Sequence, residues 1–461
     1  MSIAEASHTP EEHEEPARAP EWGVARRLGF RALFVYFLLY VLPFPVSRLP
    51  WIGEPVSSAV DSFWKEVATW TGHHVLGIEG EIFVGLTGSG DTTVDYIKLL
   101  LFAVAAVLFA LLWSLVDRRR RGHPLLARWL VVGCSYYLGL TMADYGFAKA
   151  IPSQFPVPSL HRLLATFGDS SPMTLIWTFM GFSPVYTSFT GIAELLGGLL
   201  VVFRRTRTLG ALVLAGVLAN IVMINLCYDV PVKLYSSHLF AMACALLLLD
   251  ARRLTAVFLT EGAAPAARRT PLFGRATWAN VAGKVLGVAL VGWSCFATCG
   301  RVWAGYTLFG AGRERPPLHG IFEVETFVRD GVELPARLDD SYRWRRLLID
   351  RPLPLTFDGV ERPGSVSLQR MNGSLVYRPV VLDVDAQTLS FPTSAAFADP
   401  PEPEAEPPDV LTYEEPEPGL LVLRGTWEGS EVEITTRERP LEDLELTGRG
   451  FHWINERPRS R

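Results

Sequence analysis

Long apolar runs recur along the first two thirds of the chain, separated by short polar turns. A helix rises about 1.5 Å per residue, so about twenty apolar residues cross the hydrocarbon core of a bilayer. The runs cover residues 28–46, 94–116, 127–150, 184–203, 209–228, 234–249 and 278–303. A further segment, residues 57–71, is amphipathic and carries Trp64 and Trp70, which suit a membrane surface. The pattern predicts an α-helical membrane bundle of about seven transmembrane helices.

The pattern changes after residue 310 to short alternating segments typical of strands. Residues 321–328 alternate apolar and polar side chains, and Met371-Asn-Gly-Ser374 and Trp427-Glu-Gly-Ser430 are two-residue hairpin signals. These features predict a C-terminal antiparallel β domain, either a sheet or a small barrel. Residues 399–409, rich in Pro and Glu, predict an exposed loop, and the aromatic residues of 449–456 are expected to finish a strand.

Composition supports a division into three regions. The acidic, Pro-rich residues 1–21 predict a disordered tail, 22–310 a transmembrane domain, and 311–461 a β-rich domain. A membrane bundle averaged with a polar domain explains 49% hydrophobic and 20% charged residues together with a mean hydropathy of +0.22. The net charge is −5 and no basic domain is present, so nucleic acid is not an expected partner.

Positive charges alternate between the turns and set an expected orientation. Arg118 to Arg121 close the second run, and the basic groups 204–207, 252–253 and 268–275 fall in turns on the same side. The positive-inside rule then places the N-terminus in the cytoplasm and, after seven crossings, the C-terminal domain outside the plasma (inner) membrane. Lys284 interrupts the seventh run; if that run does not cross, the C-terminal domain changes sides.

Ionisable and amide side chains stand inside or beside the apolar runs. They are Asp144, Lys149, Glu194, Asn225, Asp229, Lys233 and His238. A charge at mid-membrane costs about 2.5 kcal/mol or more, so such groups face a partner or a cavity. We expect them to share a polar pocket in the outer half of the bundle, with Glu194 deepest. The alternative is structural: ion pairs and interhelical hydrogen bonds with no ligand.

A weaker metal hypothesis rests on the loop before the second run. His73, His74, Asp91 and Asp95 offer imidazole and carboxylate ligands on one side of the membrane. Their spacing matches no closed ligand motif, and ordinary surface residues explain it equally well.

Three segments resemble the DoxX-like family of bacterial membrane proteins. They are Asp144-Tyr-Gly-Phe-Ala-Lys149, Gly191-Ile-Ala-Glu-Leu-Leu-Gly-Gly198 and Arg204-Arg-Thr-Arg-Thr-Leu-Gly-Ala211. The resemblance implies a four-helix membrane core over residues 125–254. The Thr87–Thr93 turn, Tyr228-Asp-Val-Pro-Val-Lys233 and Gly450–Glu456 resemble a longer, uncharacterised subgroup.

The same resemblance implies a redox setting. Family members are linked to a quinone-reducing thiosulfate dehydrogenase and to a membrane oxidoreductase complex, which implies a quinone as cofactor and a redox protein as partner. The family offers no catalytic motif to transfer, and this chain adds three helices and a β domain to its pattern.

Two functions follow from these observations. In the first, the protein is an accessory, ligand-binding or partner-binding membrane protein that contacts the lipid bilayer and an envelope component. In the second, it is the membrane subunit of a quinone-linked oxidoreductase system, with Glu194 and Asp144 handling protons. No flavin motif or haem-ligand pair occurs in the runs, which favours the first or a cofactor held elsewhere.

Overall fold

The structure is a computed structural model. It describes residues 21–85, 88–260, 263, 272–274, 276–310, 312, 315–351, 355–357, 360–362, 364–392 and 407–457. The predicted tail, apart from Glu21, and most of the predicted loop 399–409 lie outside these residues. The chain forms two compact units: Met1–Ile151 with Ser188–Val302, and Pro152–Thr187 with Trp303–Arg461. Residues 152–187 thus fall in the same unit as the strands.

The helices follow the apolar runs. They are α1 Val24–Val41, α2 Gly53–His74, α3 Thr93–Val116, α4 Pro124–Ala150, α5 Leu160–Leu164, α6 Pro172–Phe182, α7 Pro184–Val202, α8 Arg207–Cys227, α9 Lys233–Leu249, α10 Ala251–Phe258, α11 Thr277–Phe309 and α12 Glu445–Gly448. Local chemistry sets several ends: Thr92 and Asp95 form a capping box at α3, and Pro124 opens α4. Helices α5, α6 and α10 were not predicted from the sequence.

The lengths and apolar character of these helices confirm the predicted membrane-type bundle. Among the described residues, six helices are long and apolar enough to cross a bilayer, and α9 with α10, bent by 74°, form a seventh if taken as one broken span. Helix α3 leaves Val107, Leu108 and Leu111 about half exposed within the unit. Such a continuous apolar face fits lipid rather than water.

The core of the first unit joins α1, α4, α8 and α9. Leu138, Met142, Leu214, Leu218 and Leu239 are almost fully buried there. Helix α11 runs through Lys284 without a break, and the Lys284 side chain is exposed. The seventh apolar run is therefore one continuous helix.

A buried arginine ties α1 to the turn between α3 and α4. Arg31 donates from Nε to His123 Nε2 at 3.0 Å and from another nitrogen to Ser114 Oγ at 2.8 Å. Because Nε2 accepts this bond, the ring proton of His123 is on Nδ1, which is buried without a hydrogen-bond partner in the described part of the chain. Burial and the adjacent Arg31 guanidinium lower the pKa of His123, so the ring is held neutral.

The second unit contains a closed antiparallel β barrel. Its strands are β1 Gly320–Arg329, β2 Val332–Glu333, β3 Trp344–Arg351, β4 Leu355–Phe357, β5 Val360–Arg362, β6 Gly364–Arg370, β7 Leu375–Asp383, β8 Thr388–Phe391, β9 Asp409–Glu417, β10 Leu420–Trp427 and β11 Ser430–Arg439. Strands β1, β3 and β6 to β11 pair in order, and β11 pairs back to β1, which closes an eight-stranded barrel. Strand β2 is an extra strand on β1, and β4 with β5 form a separate hairpin.

Large apolar side chains fill the interior of the barrel. Phe327, Trp344 and Trp427 are buried, and the two indole rings meet edge to face at 4.9 Å. Eight strands enclose a space that side chains can fill, so this interior is a core and not a channel. Both predicted hairpins are confirmed: one turn joins β6 to β7, and Glu428-Gly429 joins β10 to β11.

One expectation for the C-terminus is wrong. Residues 451–457 form no strand, and Phe451, Trp453 and Ile454 are 77%, 90% and 77% exposed. No neighbouring strand accepts this segment because the barrel is already closed by the pairing of β11 with β1.

Candidate functional site

Lys149 and Glu194 form a buried ion pair between α4 and α7. Lys149 Nζ lies 2.5 Å from Glu194 Oε1, and the two side chains are only 9% and 2% exposed. Glu194 Oε2 is buried and has no hydrogen-bond partner in the described part of the chain. The Lys149 ammonium also lies 5.7 Å from the centre of the Tyr145 ring. The pair is desolvated on both sides, and one carboxylate oxygen remains able to accept a proton or a bond.

Glycines bring the two helix backbones together around this pair. A Cβ on Gly191 would lie 2.3 Å from Ala150 N, one on Gly146 would lie 2.6 Å from Leu195 N, and one on Gly198 would lie 2.7 Å from Gly139 O. Gly146, Gly191 and Gly198 therefore permit α4 and α7 to approach closely. The short distance between the helices is what allows Lys149 to reach Glu194.

Asp144 lies in different surroundings. Its Oδ2 is 2.7 Å from an Arg48 guanidinium nitrogen, and its Oδ1 accepts a bond from Thr298 Oγ1 at 2.6 Å. Arg301 donates to the same Thr298 oxygen at 3.2 Å. Asp144 therefore links α4 to the segment that follows α1 and to α11.

The residues near the α8–α9 turn form a third group. Asp229 is paired with Lys233 at 2.8 Å and its side chain is 84% exposed, while Asn225 donates to Ser236 Oγ at 2.9 Å. Asp144, Glu194 and Asp229 thus bind separate partners, and the prediction of one shared polar pocket is wrong. The position of each residue along its apolar run predicted its depth in the membrane. It did not predict which neighbouring helix the side chain faces.

Asp91, a weak metal candidate, caps a helix. Its carboxylate accepts hydrogen bonds from the backbone N–H groups of Lys233 and Leu234, at 2.8 and 2.9 Å. These are the first two residues of α9. A second contact, from Gly90 N to Pro231 O at 2.8 Å, holds the same loop against the α8–α9 turn. The loop before α3 therefore fixes the start of α9.

We expect Asp91→Ala to lower the free energy of unfolding by about 1–2 kcal/mol, because two N–H groups at the start of α9 lose their acceptor. Asp61→Ala is the matched control, since among the described residues Asp61 pairs with Lys65 alone, on the surface of α2. That control should change stability by less than about 0.5 kcal/mol. Denaturant titration of the purified protein measures both, and equal effects would contradict a capping role for Asp91.

The other metal candidates also have local roles. Asp95 closes the capping box of α3 and pairs with Lys98, His73 Nδ1 contacts Ile78 O, and His74 Nδ1 contacts Trp70 O. Across the described residues, no group of three or more His, Cys, Asp or Glu side chains has metal-binding geometry.

His238 belongs to an aromatic cluster that was not predicted from the sequence. We define the Tyr–His cluster as Tyr36 and Tyr40 of α1, Tyr137 and Tyr145 of α4, and Tyr235 and His238 of α9. The His238 ring stacks on Tyr40 at 4.4 Å, Tyr40 meets Tyr137 at 6.3 Å, and Tyr145 meets Tyr235 at 6.4 Å. The spacing of Tyr36 and Tyr40, one turn apart on an apolar helix, was the available signal.

The hydrogen bonds of His238 fix its tautomer. Nδ1 lies 2.7 Å from Leu234 O, a carbonyl that only accepts, so Nδ1 carries the proton. In the neutral ring Nε2 therefore accepts from the Tyr36 hydroxyl at 2.7 Å. The Tyr137 and Tyr235 hydroxyls lie 3.5 Å apart, whereas the Tyr40 and Tyr145 hydroxyls have no hydrogen-bond partner in the part of the chain that is described.

The members of the Tyr–His cluster are neither fully buried nor fully exposed. At this cluster three apolar helices present hydroxyls and flat ring faces on a partly accessible surface. Through Tyr145 the cluster also adjoins the Lys149–Glu194 pair.

The second unit has a cleft of its own, of about 880 Å³. The segment 156–163 supplies an apolar wall, and residues of the barrel and the segment after it supply charged groups. Among these, Glu415, Glu438 and Glu442 have no ion-pair partner among described residues. Other acids of the barrel, such as Glu414 and Glu433 with Arg424, are paired.

Together these features define a helical bundle whose helices can span a membrane, joined to an eight-stranded β barrel. The chain is similar to the uncharacterized protein YwoB of Bacillus subtilis (strain 168), with 35% identity over 125 residues. The match covers 27% of this chain and 79% of YwoB, so the chain belongs to the same family as YwoB. No family model matches the chain, and no solved structure matches it.

Proposed function

We propose that the protein is an accessory, ligand-binding protein of the bacterial plasma membrane, with its N-terminus in the cytoplasm and its β barrel outside. The Tyr–His cluster is the observation that carries this proposal. Alternation of arginine-rich turns supports the orientation. The resemblance to the DoxX-like family is consistent with it.

The chemistry of the cluster selects a class of ligand. Tyr40 and Tyr145 have hydroxyls free of protein hydrogen bonds in the described part of the chain, and every aromatic side chain of the cluster is partly accessible. A molecule that reaches the cluster from lipid must be largely apolar. The ligand is therefore a ring-bearing lipid-soluble compound with at least one hydrogen-bonding group.

The β-rich unit is assigned the partner-binding role. Its closed barrel leaves no long free strand edge, so a partner cannot add a strand to the eight-membered ring. The cleft is lined by the acids Asp350, Glu415, Glu438 and Glu442 and by the arginines Arg315 and Arg351. Acidic side chains are therefore in excess and offer a surface for a basic or amine-bearing envelope component instead.

Co-purification from native membranes tests the ligand. We expect mass spectrometry of the protein in lipid nanodiscs to find a bound ring-bearing compound. Tyr40→Phe keeps the ring and removes the hydroxyl, so retention should fall about three- to tenfold, the equivalent of one hydrogen bond. Tyr136→Phe is the matched control, because its hydroxyl packs against Gly287 of α11 and not in the cluster. Equal retention in the two variants would contradict the proposal.

A second candidate is the membrane subunit of a quinone-linked oxidoreductase system. Two observations favour it: the Tyr36 O–H to His238 Nε2 bond, and the unpaired buried oxygen of Glu194 beside Lys149. A hydroxyl–imidazole hydrogen bond and a carboxylate with an unpaired oxygen are both groups that can take part in proton transfer. Identification of the compound as a quinone, together with loss of quinone reduction in membranes of a Glu194→Gln strain, would support it. Normal quinone reduction in that strain would exclude a proton-transfer role for Glu194.

A further inference from the structure

Two arginines of the helical unit flank a hydrogen bond between Thr298 and Asp144. Arg48 contacts Asp144, Asp144 accepts from Thr298, and Arg301 donates to Thr298, with separations of 2.7, 2.6 and 3.2 Å. We call these four residues the arginine cluster. Neither Arg48 nor Arg301 is among the polar residues of the apolar runs that were predicted to form a site.

The arginine cluster lies near the ends of three spans. Arg48 is the last residue of the span Val24–Arg48, and Asp144 and Arg301 are about two turns from the ends of α4 and of the span Thr277–Leu308. Trp293, half exposed on α11, donates its indole N–H to Arg48 O at 3.0 Å. Arginine with tryptophan at the ends of spans is typical of the headgroup level of a bilayer.

The charges of the cluster do not balance. Arg48 pairs with Asp144, whereas Arg301 donates to the neutral Thr298 hydroxyl and has no carboxylate partner among the described residues, which leaves one positive charge in excess. The Arg48 and Asp144 side chains are 19% and 31% exposed, and Arg301 is exposed, so a ligand can reach them. Each guanidinium has five N–H donors but makes one hydrogen bond or ion pair within the described chain.

We propose that the arginine cluster binds a phosphate-bearing anion, supplied by the headgroup of an anionic phospholipid. Guanidinium groups bind phosphate oxygens through paired, charge-assisted hydrogen bonds, and two such groups from different helices can share one phosphate. The excess charge favours a net-negative headgroup over a zwitterionic one. The arginine cluster shares no residue with the Tyr–His cluster. Failure of one of the two proposals would therefore leave the other unaffected.

Native mass spectrometry of the full chain in detergent tests the site. The probes are dioctanoyl phosphatidylglycerol, dioctanoyl phosphatidylcholine and inorganic phosphate. Arg301→Gln leaves the Arg48–Asp144 pair in place, so the fold should persist while phosphatidylglycerol binding weakens about tenfold. Asp144→Asn removes the competing carboxylate and should leave binding equal or tighter. Arg252→Gln is the control, since Arg252 is exposed on α10 and makes no bond with a described residue.

The outcomes separate the sources of phosphate. Preference for phosphatidylglycerol over both other probes, lost in Arg301→Gln alone, supports the headgroup assignment. Competition by inorganic phosphate at equal concentration would support the same anion site with a soluble ligand. Unchanged binding in Arg301→Gln, or an equal loss in Arg252→Gln, would overturn the site. A thermal-unfolding midpoint measured for each variant ensures that the comparison is among folded proteins.

Discussion

Lys149→Met is expected to lower the free energy of unfolding by about 3–5 kcal/mol, because it leaves the Glu194 carboxylate buried without a counter-charge. The pair is 2.5 Å apart and both side chains are almost fully buried, so water cannot replace the lost partner. Reversible unfolding in mixed micelles measures the effect.

A second substitution distinguishes a buried pair from simple loss of packing. Adding Glu194→Met removes the unpaired carboxylate, so Lys149→Met/Glu194→Met should recover much of the stability lost by Lys149→Met alone. Lys65→Met is the control, because Lys65 and Asp61 form an exposed pair on α2 whose loss should cost less than about 1 kcal/mol. If Lys149→Met costs no more than Lys65→Met, the buried pair does not stabilise the fold.

Gly191→Ala is expected to destabilise the helical unit by about 1–3 kcal/mol through overpacking. The added Cβ would lie 2.3 Å from Ala150 N and 2.7 Å from Gly146 O, and backbone atoms cannot move aside as a flexible side chain can. Helices α4 and α7 must then separate. Thermal unfolding of the variant, compared with the parent protein, measures this loss.

Gly216→Ala supplies the opposite result on a neighbouring helix. A Cβ on Gly216 of α8 would have no heavy atom within 4 Å, so the substitution should stabilise the protein by about 0.5–1 kcal/mol through helix propensity. Separation of α4 from α7 would also weaken the Lys149–Glu194 bond. Gly191→Ala combined with Lys149→Met should therefore cost less than the sum of the two single changes. Strict additivity would show that the glycine contact and the ion pair are independent.

Much of the fold could be predicted because it depends on short-range patterns. The apolar runs gave the long helices, since each helix must satisfy its own backbone hydrogen bonds wherever water is excluded. One Asn-Gly and one Glu-Gly pair correctly predicted the hairpins at Met371–Ser374 and Trp427–Ser430. Closure of the barrel was left open as one alternative, because the pairing of β11 with β1 joins segments about a hundred residues apart.

The candidate site was predicted less well, because the identity of a side chain does not name its partner. Lys149 and Glu194 were both predicted to lie in a polar site. The sequence did not show that Lys149 pairs with Glu194 rather than with Asp144 or Asp229. Asp91 was only a weak metal candidate, and its role as the cap of α9 was not predicted because the residues it caps lie about 140 positions later in the chain. Tyr36 and Tyr40 were not predicted to belong to a site, because their stacking with His238 is a contact between different helices.

The sequence by itself determined which segments become helices and strands and which of them are apolar enough for a membrane. That information is periodic and local, and the chain carries it residue by residue. The tertiary structure alone decided that Lys149 meets Glu194 across a glycine contact, that Arg48 and Arg301 share one carboxylate and hydroxyl pair, and that six aromatic residues from three helices form one cluster. Those contacts depend on the rotation of each helix about its axis and on the choice of its neighbours, which packing fixes and periodicity does not.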